Sequence, residues 1–136
     1  MTAIDGELLV RIDDGIAHVT LNRPQARNAL TFGMYEELAK LCALAGTADD
    51  ADHIKAIVIA GAGDKAFAAG TDIGQFTAFE STEDGLRYEA KVEAVISQIE
   101  SCHVPVIAAL HGAVTGGGLV IAAAAHVRIA SAAAVA

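Results

Sequence analysis

Two glycine-bearing segments hold the residue types with which a main chain itself can do chemistry. Residues 65–73 read Lys-Ala-Phe-Ala-Ala-Gly-Thr-Asp-Ile, and residues 111–118 read His-Gly-Ala-Val-Thr-Gly-Gly-Gly. Each follows a short apolar run, 54–60 and 106–110, that reads as a strand. In α/β sheets, ligands bind in crevices at the carboxyl ends of the strands, which is where both segments fall. Gly116, Gly117 and Gly118 have no Cβ, so their backbone can approach a ligand closely. The helix that opens after them, 119–125, adds the positive end of its dipole. A tight strand-to-helix turn with close packing accounts for the glycines taken alone. Asp72 reads equally as a cap on a following helical turn and as a ligand contact.

The side chains near these loops offer little acid–base chemistry. His111 and His126 are the nearby groups that titrate around neutrality, and both read first as structural. No Ser-His-Asp pattern or metal-ligand spacing competes with the two loops. Cys42 and Cys102 lie far apart in sequence and read as two reduced thiols in or near a core.

The elements that must position the loops are legible. Residues 8–12 and 16–21 read as strands joined by the turn Asp13-Asp14-Gly15. Asn22-Arg23-Pro24 breaks the pattern. Thr31 can cap a helix over 32–45, closed by Gly46, with Leu38, Leu41, Cys42 and Ala45 as its buried stripe. The continuous apolar run 54–60 suits a strand covered on both faces. Ser81 and Asp84 resemble a capping box opening a helix to about residue 101, with Val92, Val95, Ile96 and Ile99 as its apolar face. Residues 106–110 and 127–130 read as two further strands. Alternating strands and helices imply right-handed crossovers and a mainly parallel sheet in one domain over 1–136. The chain stops just after a strand, which would leave a raw sheet edge and implies that more chain follows.

In combination, Asn22-Arg23-Pro24, Asn28-Ala29-Leu30, Phe67-Ala68-Ala69-Gly70-Thr71-Asp72-Ile73 and the run from Val106 to Gly118 resemble the crotonase, or enoyl-CoA hydratase/isomerase, superfamily. The likeness runs through nearly the whole chain in the family's order. It implies an α/β fold of the ClpP/crotonase type, a spiral of ββα units whose C-terminal helical part is absent here. It also implies a coenzyme A thioester whose carbonyl accepts two backbone N–H bonds, from Thr71 and Gly117. Fixed donors aimed at an oxygen that gains charge stabilise the transition state by about 3–4 kcal/mol each. By the same resemblance, the CoA ester contacts Arg27, Ala29, Ala68, Gly70, Asp72 and Ile73. Ala26 lies where the family lays backbone against the adenine, and Gly116 and Val120 count among the substrate-binding positions. Coenzyme A enters as part of the substrate, and no metal or separate cofactor is implied. The expected assembly is a homotrimer or a hexamer.

One position departs from the family. The hydratases hold and activate water with two glutamates, the first of which falls at Val120. The second would fall just past residue 136. Valine cannot transfer a proton, and its own reading is a core residue of the helix that follows the glycines. Double-bond isomerisation by a single carboxylate is therefore favoured over water addition. A non-catalytic CoA-ester binder or subunit is the alternative.

Composition narrows the field further. Nine Lys and Arg against seventeen Asp and Glu give a net charge of −8, which opposes nucleic-acid binding. Arg23, Arg27 and Lys65 remain candidates for local cations facing an anionic ligand. No signal-like segment opens the chain and no apolar run reaches membrane-spanning length, so the expectation is a soluble cytoplasmic protein without membrane partners.

Overall fold

The computed structural model describes residues 2–4, 6–72 and 82–136. Ile73 and Ser81, the expected cap, lie outside them. Strands β1 (Thr2–Ile4), β2 (Leu8–Asp13) and β3 (Ile16–Leu21) form an antiparallel meander. The β2–β3 turn places Asp14 and Gly15 at φ 50° and 79°. Positive φ at both central residues is the hairpin geometry whose twist matches the flanking strands.

From β3 onward the sheet is parallel. The strands β4 (Ala56–Gly61), β6 (Val106–Leu110) and β8 (Val127–Ala130) complete the order β1-β2-β3-β4-β6-β8. Helices α1 (Phe32–Leu44), α2 (Thr82–Glu100) and α3 (Gly117–Ala124) supply the crossovers. Thr31 caps α1, accepting the Met34 N–H at 3.2 Å. Gly46 takes positive φ just past the end of that helix.

The core lies on one face of the sheet. Leu8, Val10, Ala17, Val19, Leu21, Ile57, Ile59, Val106 and Ala108 point inward by strict alternation and meet Leu38 and Leu41 of α1 and Val95 and Ile99 of α2. This corrects the two-sided cover expected for the 54–60 run. Val58 and Ala60 instead share a cleft on the opposite face with Arg11, His18 and Thr20. Residues 56–60 are apolar throughout, but only the alternate members Ile57 and Ile59 are buried.

The two segments read as loops contain strands. β5 (Ala66–Ala69) and β7 (Ala113–Thr115) pair in parallel as a second, two-stranded sheet. The chain order is thus ββα three times over: β2-β3-α1, β4-β5-α2 and β6-β7-α3. β5 is mostly alanine, which carries little strand preference, and β7 is only three residues long, too short for an alternating pattern to show. Helix α3 also starts two residues before the expected 119, with Gly116 as its N-cap at φ 53°. Arg128 closes its far end, donating to the carbonyls of Ala122 and Ala125 at 3.2 and 2.8 Å. No helix of the described residues is long and apolar enough to cross a membrane.

Candidate active site

Main-chain hydrogen bonds lace three distant segments into one site. Ala69 N–H donates to the Arg27 carbonyl at 2.9 Å, Leu30 N–H to Gly70 at 3.0 Å, and Asp72 N–H to Leu30 at 2.9 Å. On the other flank, Gly70 N–H donates to Thr115 at 2.9 Å. The fold therefore brings together Ala26, Arg27, Ala29, Ala68, Gly70, Thr71, Asp72, Gly116, Gly117 and Val120. Ile73 lies outside the described residues.

Among the described residues, the lacing does not use the N–H groups of Thr71 and Gly117. The bridge between Leu30 and Thr71 uses the Gly70 carbonyl and the Asp72 N–H, so the Thr71 N–H faces away from Leu30. Gly117 is the first residue of α3, and its N–H has no carbonyl within the helix to bond. These two residues are close neighbours: a Cβ on Gly117 would lie 2.9 Å from the Thr71 hydroxyl oxygen and would strike the Tyr35 hydroxyl. A Cβ on Gly118 would run into the Ala68 carbonyl. The glycines thus serve first to press the two loops against each other. The expected approach to a ligand concerns their other side.

Asn28 holds the segments in place. It is fully buried and sits in the left-handed region at φ 58°, which asparagine tolerates better than most residues. Its Oδ1 accepts the Arg23 N–H at 2.9 Å, and its Nδ2 donates to the Ala62 and Ala66 carbonyls at 3.0 and 2.9 Å. The Asn-Ala-Leu motif was visible in the sequence, but nothing there reveals that its amide spans strands β4 and β5.

The candidate cations divide. Arg23 is not available to an anionic ligand. Its Nε lies 2.9 Å from Glu7, its guanidinium donates to Asp72 at 3.1 Å and to the Ala29 carbonyl at 2.6 Å. The Asp72 side chain is correspondingly committed to Arg23. Arg27 and Lys65, by contrast, line a cleft of about 240 Å³ together with Pro24, Asn28, Gly63 and Asp64.

Tyr35 and Tyr88 were not singled out from sequence. The Tyr35 and Thr71 hydroxyls share a hydrogen bond of 2.8 Å, and the Tyr88 hydroxyl donates to Thr71 Oγ1 at 3.2 Å. Burial pushes the Tyr35 hydroxyl up to about 12. Val120 is half-buried rather than in the core, because the packed stripe of α3 runs through Gly117, Gly118, Ile121 and Ala124. His111 Nε2 donates to the Gly63 carbonyl at 2.9 Å. His126 is structural: its Nδ1 accepts the Val106 N–H at 3.0 Å and its Nε2 donates to the Glu100 carbonyl at 3.1 Å. The cysteines, distant in sequence, meet in space. Burial pushes the Cys42 thiol up to about 12, and the neighbouring Cys102 thiol adds to the rise. Among the described residues no cluster of three or more His, Cys, Asp or Glu could hold a metal ion.

Comparison with known proteins bears on the family and the fold. The sequence pattern of the enoyl-CoA hydratase/isomerase family matches residues 11–136. A Bacillus subtilis protein named "Probable enoyl-CoA hydratase" is 39% identical over 120 residues, covering 88% of this chain and 45% of that protein. The alpha subunit of the fatty acid oxidation complex of Idiomarina loihiensis is 35% identical, covering 86% of this chain and 16% of that subunit. Among solved structures, an enoyl-CoA hydratase/carnithine racemase from Magnetospirillum magneticum superposes with a TM-score of 0.84 at 32% identity, covering 96% of this chain and 48% of that one. The chain thus spans less than half the length of each of these relatives.

Proposed function

Because this chain belongs to the enoyl-CoA hydratase/isomerase family, we propose that it processes acyl-CoA thioesters, holding the thioester oxygen between the N–H groups of Thr71 and Gly117. The observation that carries this reading is the close packing of those two residues, with neither N–H used in the lacing of the loops among the described residues. Removing a proton next to a thioester, or adding a nucleophile to its enoyl form, moves negative charge onto the carbonyl oxygen. Two preset donors in a protein cleft stabilise that charge without reorganising at the moment of reaction. The cleft of Arg27 and Lys65 supports a place for the anionic part of coenzyme A.

Val120 defines the reaction class. A half-buried valine where a hydratase carries its first glutamate can neither position water nor transfer a proton. The reading is a one-carboxylate reaction such as double-bond isomerisation, the carboxylate lying outside residues 1–136.

A co-crystal of the protein with a slowly reacting acyl-CoA tests the site. The carbonyl oxygen is expected within about 3.2 Å of both nitrogens. A carbonyl beyond hydrogen-bond reach of both would overturn the assignment.

A further inference from the structure

The hydroxyls of Tyr35, Thr71 and Tyr88 meet at a single point. Tyr35 comes from the second turn of α1 and is buried, while Tyr88 comes from α2. The ring of Tyr88 packs on Phe32, one turn before Tyr35, with centroids 5.3 Å apart and planes tilted by 38°. Lys91 of α2 pairs with Glu36 of α1 and lies 6.0 Å over the Phe32 ring. Two helices are therefore joined by these side chains, and their hydroxyls converge on one small side chain in the loop between them.

Packing alone does not call for these hydroxyls. A phenylalanine at 35 would fill nearly the same volume without a polar group to satisfy inside the core. The Tyr35 hydroxyl bonds to Thr71 and touches the place where a Cβ of Gly117 would stand. Those are the two residues whose main-chain N–H groups face the proposed ligand.

We propose that Tyr35 and Tyr88 are positioning residues of the thioester site, which clamp the Thr71 side chain and thereby set the direction of the Thr71 N–H, with Tyr35 also seating Gly117. The proposal rests on the reading of those N–H groups as thioester donors. Thr71 is β-branched, so anchoring Oγ1 from two sides restricts its χ1 and, with it, the tilt of the adjoining peptide. A hydrogen bond that must be aligned with charge developing in the transition state is sensitive to that tilt, whereas overall ligand affinity is shared over the whole coenzyme.

The test combines steady-state kinetics with the carbonyl stretch of bound ¹³C-labelled crotonyl-CoA. The protein is compared with Tyr35→Phe, Tyr88→Phe, Thr71→Val and Thr71→Ser. Tyr35→Phe and Thr71→Val are expected to lower kcat about tenfold while KM changes less than about threefold. Both should lose part of the red shift of the bound carbonyl. Thr71→Ser, which keeps a hydroxyl, should retain most of both. Adding Tyr35→Phe to Thr71→Val should cost little more, since the two substitutions break the same bond. If Tyr35→Phe fails to fold, Tyr88→Phe and the Val/Ser pair at 71 decide the matter with the same readouts. A normal red shift left intact in every variant would overturn the clamp and leave the thioester site standing. A wild-type complex with no red shift would overturn the site assignment and the clamp with it.

Discussion

Gly116 stands directly over Gly70, so close that a Cβ at residue 116 would lie 2.8 Å from the Gly70 α-carbon. Gly116 also adopts φ 53° and ψ −124°, a region effectively closed to residues with a side chain. Two constraints, steric and conformational, thus fall on the residue that starts α3. Gly116→Ala is expected to destabilise the fold by about 2–4 kcal/mol, or to splay the loops and abolish acyl-CoA binding. Urea unfolding with calorimetric binding to the same variant distinguishes these. A fully stable variant with unchanged affinity would contradict the packing described.

Asn28 is the polar residue on which the three segments depend. Its side chain makes three hydrogen bonds to main-chain groups while fully buried. Asn28→Ala leaves those groups unpartnered and puts alanine at positive φ, for an expected loss of about 3–4 kcal/mol. Asn28→Asp should be at least as damaging, because it sets a carboxylate against the Ala62 and Ala66 carbonyls. Denaturant midpoints of the two variants check the order.

Stability should fall at both ends of the pH range. The buried Tyr35 hydroxyl rises from 10.0 to about 12 on folding, and the Cys42 thiol rises from 9.0 to about 12. Groups raised in this way hold their protons more tightly in the folded chain. Their contribution is complete below the unfolded values and drains away as pH climbs from about 9 to about 12. Asp50 acts oppositely. The N–H of Gly46, with those of Ile54 and Asp52, holds its carboxyl below the ordinary 3.8. Its contribution is complete above that value and is lost as pH falls from it through the lower folded value. Thermal melts across pH should show the alkaline limb shallower in Cys42→Ala and the acid limb shallower in Asp50→Asn. Unchanged limbs would contradict the attributions.

Val120 offers a gain-of-function test. Because the side chain is half-buried and off the packed stripe of α3, Val120→Glu should cost little stability, less than about 1 kcal/mol. Hydration of crotonyl-CoA, followed by loss of enoyl absorbance, should be slow in the unaltered protein. The variant should raise it on the order of 10²-fold where a second acid faces the site. Rapid hydration by the unaltered protein would show that another group replaces the missing glutamate.

Much of this arrangement was legible because its physics is local. The turn at Asp14-Gly15, the Thr31 cap and the β-branched strands β3 and β6 each declare themselves through backbone preference or period. Even the Gly116–Gly118 turn is readable as a place of close approach. What sequence did not reveal was non-local. β5 and β7 are strands because they pair with each other, not because alanine favours extension. Arg23 looked like a cation available to a ligand until Glu7 and Asp72 were found around it. Tyr35 and Tyr88 lie on different helices, and only folding brings their hydroxyls to one threonine.

The small parallel sheet β5–β7 has a consequence for how the protein breathes. Its two strands are held between segments that are remote in sequence: Ala69 bonds to Arg27, Gly70 to Thr115, and Ala66 to Asn28 across 38 positions. None of these bonds can open as a frayed end, because each is closed by a loop that includes a whole crossover helix. Amide protons at Leu30, Ala69, Gly70 and Asp72 should therefore exchange with solvent deuterium only in concert, at the rate of the large-scale opening that separates the crossovers. The N–H groups of Thr71 and Gly117, which take no part in this lacing and are proposed to face the ligand, should exchange far faster from the same rigid frame.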